Sequence, residues 1–473
     1  MQLDRRSLLH GSSLLLAQAA LPASLLTRPR TLPTFYDQIE RRTFRFFWET
    51  VNRRNGLVPD RWPTPSFSSI AAVGFALPAY AVGVERGWCS RAEARALTLT
   101  TLRFFWNAPQ GPAVRGMTGH KGFFYHFLDM RSGRRLRSVE LSSVDSTILF
   151  MGMLFSGQYY DRDDPDEHEI RRLAEALYRR ADWNFLRSDG RRAISMGWHP
   201  ESGALIAANW VGYNEGMFVN ILALGSPTHP SPPDLWAQWV APYPYLWRGS
   251  GPKRRVAFGP LFGHQYSHVF IDFRGIRDAP MRRAGFDYFE NSRRATYANR
   301  DYCHANPMRW RGYSGDVWGL TACDGPGDYR RAFNGEARTF FGYAARGPEG
   351  EPDGRDDGTI APTAALGSLP FAPEIVIPCA KAMLDRHGGR IFRKLGFADS
   401  FNPSFTFPGL RSGSGSVDPR HGWVARDHLG IDQGPILLQA ANYRDEFVWR
   451  HIRRVPAIRR GLERAGFTGG WLG

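Results

Sequence analysis

Lysine is scarce in this chain. Only Lys121, Lys253, Lys381 and Lys394 occur in 473 residues, so the formal charge of +16 is carried almost wholly by arginine. A strongly basic chain can attract nucleic acid or membrane lipid. Here the arginines are scattered and no long basic run forms, so a solvated basic surface is expected and a nucleic-acid partner is not. Cysteine is equally rare: Cys89, Cys303, Cys323 and Cys379 show no zinc-ligand spacing, and no metal or cofactor is expected. Cys303 and Cys323 could still pair as a disulfide. There is no Gly-rich phosphate loop and no G-x-S-x-G nucleophile elbow. Past the first thirty residues no segment has the length of a membrane helix, so stable membrane insertion is not expected. Strand–helix alternation of the parallel-sheet kind is also missing, and no repeat recurs at a fixed period.

What is present is size and aromaticity. The chain is 42% hydrophobic and 14% aromatic, with 15 Trp and 32 Phe, ample for a large core and for an aromatic-lined cleft. At the start, Asp4-Arg5-Arg6-Ser7-Leu8-Leu9 precedes a modest apolar stretch, Leu14 to Leu26. The pair of arginines resembles a twin-arginine export signal, with small residues at Ala17, Ala19 and Ala23 as cleavage points. Residues 1–30 are therefore read as a leader and 31–473 as a single domain, exported to the periplasm or secreted. An amphipathic N-terminal helix is the alternative.

Apolar periodicity along the remainder predicts about a dozen helices and few strands. Expected helices include Thr34–Val51, Ser69–Arg86 with Pro78 as a kink or end, and a third opening at the Ser90/Glu93 capping box. Val139–Tyr159, Asp166–Leu186, a helix from Asn214, Leu261–Phe273, Met281–Asn299 and Ile431–Arg450 follow. Gly111–Arg135 reads as an irregular loop or short hairpin, Arg330–Thr359 as an exposed insertion, and Ser412–Val417 as a flexible loop. A dozen amphipathic helices fit either two concentric rings, an all-α (α/α)6 toroid with a loop-built cleft at one end, or a solenoid of helix pairs.

The chemistry-bearing stretches lie at helix entries. Asn209-Trp210-Val211-Gly212-Tyr213-Asn214-Glu215-Gly216-Met217 offers a carboxyl group beside aromatic faces, the setting that keeps a general acid protonated. The same residues suit plain helix capping, in which the helix dipole lowers the carboxyl pKa. Glu140 and Asp145 enter an otherwise apolar helix, where an unpaired Asp145 would be costly. Asp432 and Gln433, flanked by Gly430 and Gly434, precede another apolar helix. Asp316 and Trp318 sit in a Gly-punctuated loop suited to a sugar subsite. His264 and His268 share a helix face but lack the Glu of a zinc-protease motif, so core or polar lining is expected.

Six co-linear stretches then converge: Gly212-Tyr213-Asn214-Glu215, Ser226-Pro227-Thr228-His229-Pro230, Gly259-Pro260-Leu261-Phe262, Trp318-Gly319-Leu320-Thr321-Ala322, Ile360-Ala361-Pro362-Thr363-Ala364-Ala365 and Ile431-Asp432-Gln433-Gly434-Pro435. Together they resemble the bacterial glycoamylase-like domain, the group that contains glycoside hydrolase family 144, from about residue 35 to 465. The resemblance implies an (α/α)6 toroid acting on β-1,2-linked glucans, with Glu215 at the acid-catalyst position. It also implies a row of carboxylates on the 139–155 helix. Asp145 keeps one, whereas Ser138 and Ser142 stand where further acids belong.

The expectation is an exported, monomeric, metal-independent glycoside hydrolase on an oligo- or polysaccharide. Glu215 would protonate the glycosidic oxygen and Asp145 would activate water or attack as nucleophile. Trp210, Tyr213, Asn214, Asp316, Trp318, Asp432, Gln433 and Glu140 would bind substrate. A transglycosylase would share these residues. A non-catalytic glycan-binding or envelope-assembly protein is the alternative class, favoured by the thinned acid row.

Overall fold

Helices without a polar face must be surrounded, and this chain has several. The computed structural model describes residues 30–473 apart from 189 and 411. The leader with its paired arginines thus lies outside the described residues. Helix α1 spans Thr34–Thr50, α2 Ile70–Glu85, α3 Arg91–Asn107, α4 Ser143–Tyr159, α5 Pro165–Arg179 and α6 Met217–Gly225. Fourteen of the sixteen residues of α2 and all nine of α6 are buried. By contrast α1 buries seven of seventeen and α5 six of fifteen, each along one face.

This difference sorts the helices into two rings. In the inner ring α2 packs on α4 and α4 on α6. The path continues through the short Tyr266–Phe270 and Pro362–Leu366 helices to the Gly430–Asp445 helix, which packs on α2 and closes the circle. The half-exposed α1, α3, α5 and the Tyr288–Ala305, Pro373–His387 and Pro456–Arg464 helices lie outside. The result is the α/α toroid that the sequence predicts, not a solenoid. Inner helices meet closely where side chains vanish: a Cβ on Gly152 would stand 2.1 Å from the Gly74 carbonyl oxygen, and one on Gly74 2.4 Å from that of Ile148.

Arginines close the C-terminal ends. Arg464 and Arg460 donate to the carbonyls of Leu224 and Gly225 at the end of α6, at 2.8 and 2.9 Å. Arg91 donates to Tyr159 at 3.0 Å, Arg171 to Tyr160 at 2.6 Å, and Arg454 to Gln158, all around the end of α4. Arg180 does the same for Phe105 in α3 at 2.6 Å. These carbonyls have no partner within the helix, and a multi-donor guanidinium suits them. Much of the arginine excess is therefore structural.

Several local expectations change. Pro78 lies inside α2 without ending it. α4 starts at Ser143 and α6 at Met217, each a few residues later than the apolar pattern suggests. Leu261–Phe273 divides into a 3₁₀ turn and a five-residue helix, and Met281–Asn299 into Ala279–Ala284 and Tyr288–Ala305, the second capped by Asp287. Many strands are only two or three residues long, too short to leave a period-2 signature. Five of them, Gly119–His120, Phe123–Tyr125, Leu141–Ser142, Gly197–His199 and Ala204–Leu205, form one antiparallel sheet, so Gly111–Arg135 contains a real hairpin. Gly415–Asp418 is a strand, not a flexible loop. The 330–359 segment is exposed along much of its Tyr329–Phe333/Glu336–Phe340 hairpin, as expected, but it is anchored beyond it, where Arg346 is fully buried against Asp357 at 2.8 Å. All four cysteines are free, and Cys323 Sγ accepts from Arg346 at 3.4 Å, so Cys303 and Cys323 form no disulfide. No helix among the described residues is long and apolar enough to cross a membrane.

The helix contact makes a prediction. Gly152→Ala should destabilise the protein by about 1–3 kcal/mol, the range for overpacking a close contact, with the urea midpoint lowered accordingly. A midpoint equal to that of the parent would mean that α2 and α4 are not in backbone contact at this point.

Candidate active site

The N-terminal ends of the inner helices surround a cavity of about 500 Å³. Its walls include Ser69 ahead of α2, Asp145 in the first turn of α4, Glu215 just before α6, Tyr266, and Ile431 at the start of the Gly430–Asp445 helix. Phe67, Phe127, Phe262 and Tyr343 supply aromatic faces, and Asp60, Arg61 and His126 complete the polar lining.

Glu215 does not cap α6, whose first turn has no side-chain cap. Asn214 takes the local role instead: its Oδ1 accepts from Gly216 N–H at 2.9 Å and its Nδ2 donates to the Val211 carbonyl at 3.3 Å. This frees the Glu215 carboxyl for the cavity. Its backbone carbonyl accepts from Ser267 Oγ at 3.3 Å, and its Oε2 is buried with no partner among the described residues. Burial, with Asp145 and Asp353 adding negative charge nearby, pushes its pKa up to about 7. Burial therefore outweighs the helix dipole here.

Asp145 is equally enclosed but has partners. Its Oδ2 accepts from Ser142 Oγ at 2.5 Å, and His126 Nε2 faces its Oδ1 at 3.5 Å. Burial leaves its pKa raised overall, and His126 and Ser142 only partly offset that rise. His126 Nδ1 lies 2.8 Å from Glu140 Oε1. Burial disfavours the imidazolium, but Asp145 and Glu140 together outweigh it and lift the His126 pKa to about 9. Glu140 in turn is held below its usual value, the bond from His126 overcoming its burial. His126, Glu140 and Asp145 are close enough to grip a cation. Both ring nitrogens, however, are aimed at carboxylates, so the trio is an ion-paired chain with no free imidazole lone pair to offer an ion.

A second acidic group stands behind the wall. Asp432 is buried and paired with Asp399; burial and Asp399 both raise its pKa, and Asp399 is pushed up to about 7. Asp399 Oδ2 accepts from Asp324 N–H at 2.7 Å, and Arg61 bridges Asp324 and Asp60 at 2.9 and 3.1 Å.

The other expected substrate-binding residues are placed differently. Trp210 is buried: its ring covers Gly216, where a Cβ would stand 2.4 Å away, and its Nε1–H donates to Ser143 Oγ at 2.8 Å. It is a strut that fixes the Glu215 loop to the start of α4. Tyr213 is buried, bonded through its hydroxyl to Ser292 and stacked on Tyr288. Trp318 is fully buried in the core, and Asp316 is on the outer surface, 3.4 Å from Arg386. Gln433 is buried and donates to the Phe397 carbonyl at 3.0 Å. None of these five side chains lines the cavity: four are packed into the scaffold and Asp316 faces outward. His264 and His268 are core residues, bonded to the Phe258 carbonyl and Ser292; burial pushes both pKa values down to about 3. His126, Asp60, Arg61, Asp399 and Tyr343 went unnoticed in the sequence. Only His126 carried a signal, as a polar residue inside the aromatic run Phe123–Phe127.

Fold and site together define an α/α toroid with two carboxyl groups of unlike environment at the mouth of its inner ring. The profile described as "Putative glucoamylase" matches residues 207–456, more than half of the chain, and the protein belongs to this glycoamylase family. It is 25% identical, over 93% of its length, to the exo-β-1,2-glucooligosaccharide sophorohydrolase (non-reducing end) of Parabacteroides distasonis, and it spans 59% of that curated relative. Among solved structures it superposes on a protein from Bacteroides uniformis with the same description as the family, with TM-score 0.77 and 29% identity over 94% of this chain and 100% of that one. It also superposes on the endo-β-1,2-glucanase of Chitinophaga pinensis in complex with sophorotriose and glucose, with TM-score 0.76 and 25% identity over 93% and 100% of the two chains.

The Glu215 environment is testable without substrate. A carboxyl whose folded pKa is raised contributes stability that is fully present below its unfolded pKa and is lost as pH rises through the folded value, here between about 4.5 and about 7. Glu215→Gln removes the ionisation, so at pH 8 the variant should be more stable than the parent by on the order of 2–3 kcal/mol, the partly open side chain considered. Urea unfolding at pH 5 and pH 8 checks this; an identical pH dependence in the two proteins would refute a buried, unpartnered Glu215.

Proposed function

We propose that this protein hydrolyses β-glucan, most specifically the β-1,2 linkage, by carboxylic acid general acid–base chemistry. One observation carries the reading. Glu215 lines the cavity with its Oε2 buried and unpartnered among the described residues, and burial lifts its pKa to about 7, whereas Asp145, lining the same cavity, is bracketed by Ser142 and His126. Two carboxyls whose surroundings push them apart are what an acid–base pair needs. A module that only binds glycans has no use for an acid kept protonated by burial.

Glu215 gives its proton to the glycosidic oxygen as the bond to the anomeric carbon breaks. Asp145 either takes a proton from the water that attacks the anomeric carbon, after which solvent returns that proton to Glu215, or attacks the carbon itself, in which case ionised Glu215 takes the proton of the water that cleaves the glycosyl ester. Phe67, Phe127, Phe262 and Tyr343 line the cavity with ring faces that suit stacking on sugars. The β-1,2 linkage is supported by the names of the Parabacteroides and Chitinophaga proteins.

Purified protein on linear β-1,2-glucan, beside other β- and α-glucans, should release short products from the first alone. Glu215→Gln should lower the rate by about 10²–10⁴-fold, the usual contribution of a general acid, and parent activity should fall as pH rises through about 7, where Glu215 loses its proton. No turnover of any glucan, or a fully active Glu215→Gln, would end this reading.

The reading includes export in folded form, supported by Arg5 and Arg6 ahead of the apolar stretch Leu14–Leu26. Residues 1–30 fused to a prefolded reporter should carry it to the periplasm, and replacing both arginines by lysine should retain it inside. Equal export of both fusions would rule out the twin-arginine route.

A further inference from the structure

His126 belongs to neither of the two carboxyl groups assigned above, yet it lines the cavity with them. Its main chain is already fixed without the ring: its N–H donates to the Glu140 carbonyl at 3.0 Å and its carbonyl accepts from Ile70 N–H at 3.3 Å. The side chain is therefore not needed to hold the strand. Instead it links Glu140 Oε1, at 2.8 Å from Nδ1, to Asp145 Oδ1, at 3.5 Å from Nε2. Glu215 has no comparable cationic partner among the described residues, so the ring is what makes the two carboxyl environments unlike.

We propose that His126 is a positioning residue of the acid–base pair: anchored by Glu140, it fixes the orientation of Asp145 and offsets part of the burial cost of its charge, a support that Glu215 lacks. The inference rests on the hydrolytic reading above. Every charged group facing the ring fits this role. Asp145 and Glu140 flank its two nitrogens, and Asp60, tied to Arg61, adds negative charge from the loop ahead of α2. His199 faces Glu140 from the neighbouring strand and further favours the ionised carboxylate there.

The test is a kcat and KM profile from pH 4 to 9 on linear β-1,2-glucan for the parent, His126→Gln and Glu140→Gln, with melting curves for each. His126→Gln should lower kcat roughly tenfold or more, leave KM within about threefold, and move the acidic limb up by about one pH unit, as expected when a supporting partner of a reacting group is removed. Glu140→Gln should move the same limb in the same direction by less, and it serves if His126→Gln does not fold. A folded His126→Gln with the kcat and acidic limb of the parent overturns the proposal. So does activity that EDTA removes and Mn²⁺ restores, because the trio would then hold an ion. A parent inactive on every glucan would instead sink the hydrolytic reading. The pair remains measurable by NMR: the His126 ring should titrate near 9 and fall by about one unit or more in Asp145→Asn, and an unchanged value overturns the proposal.

Discussion

An apolar helix buried on every side still has polar ends. Its first N–H groups and last carbonyls have no partner within the helix, and in a closed ring no neighbouring turn supplies one. In this toroid the two ends of the inner helices meet different solutions. Arginines from outer elements close the carbonyl ends of α4 and α6. At the other end short strands, serine caps and the cavity take over, with Ser69 capping α2 and Ser142 capping α4. One side of the ring is thus cationic and sealed, the other open and acidic. Part of the arginine content thus has a structural use in the first solution.

The open end is where strain can be held. Helix N-termini favour carboxylates, but the aromatic and aliphatic walls disfavour their charge. Which effect prevails differs between residues a few ångströms from the same space. Asp145 has a hydroxyl and an imidazole; Glu215 has neither. Trp210 binds the two elements together, with its ring on Gly216 and its indole N–H on Ser143, so that the difference is kept at fixed geometry. Rigid support for a costly, unpartnered acid is the familiar exchange of stability for reactivity.

Membership of the glycoamylase family accounts for the toroid. It does not account for the serines on α4. Ser142 caps α4 and also donates to Asp145 Oδ2, while His126, from the junction of two short strands, approaches Asp145 Oδ1 at 3.5 Å.

Local pattern determined much of this. Apolar runs mark α1 to α6 whatever surrounds them, with side-chain caps at α2 to α5, and a carboxyl just before the apolar run Met217–Leu224 marks Glu215 as unusual, because helix period and capping are properties of neighbouring residues. Tertiary structure alone decided which rings face the cavity. Trp210, Tyr213 and Trp318 looked like sugar platforms and proved to be struts and core, whereas Phe67, Phe127 and Tyr343 form the wall. Tertiary structure also joined His126 to Asp145, Asp399 to Asp432, and Arg346 to Asp357. The physical reason is that burial and charge pairing depend on groups brought together by ring closure across long stretches of chain. A residue's type and its near neighbours carry no record of which distant side chain will share its space.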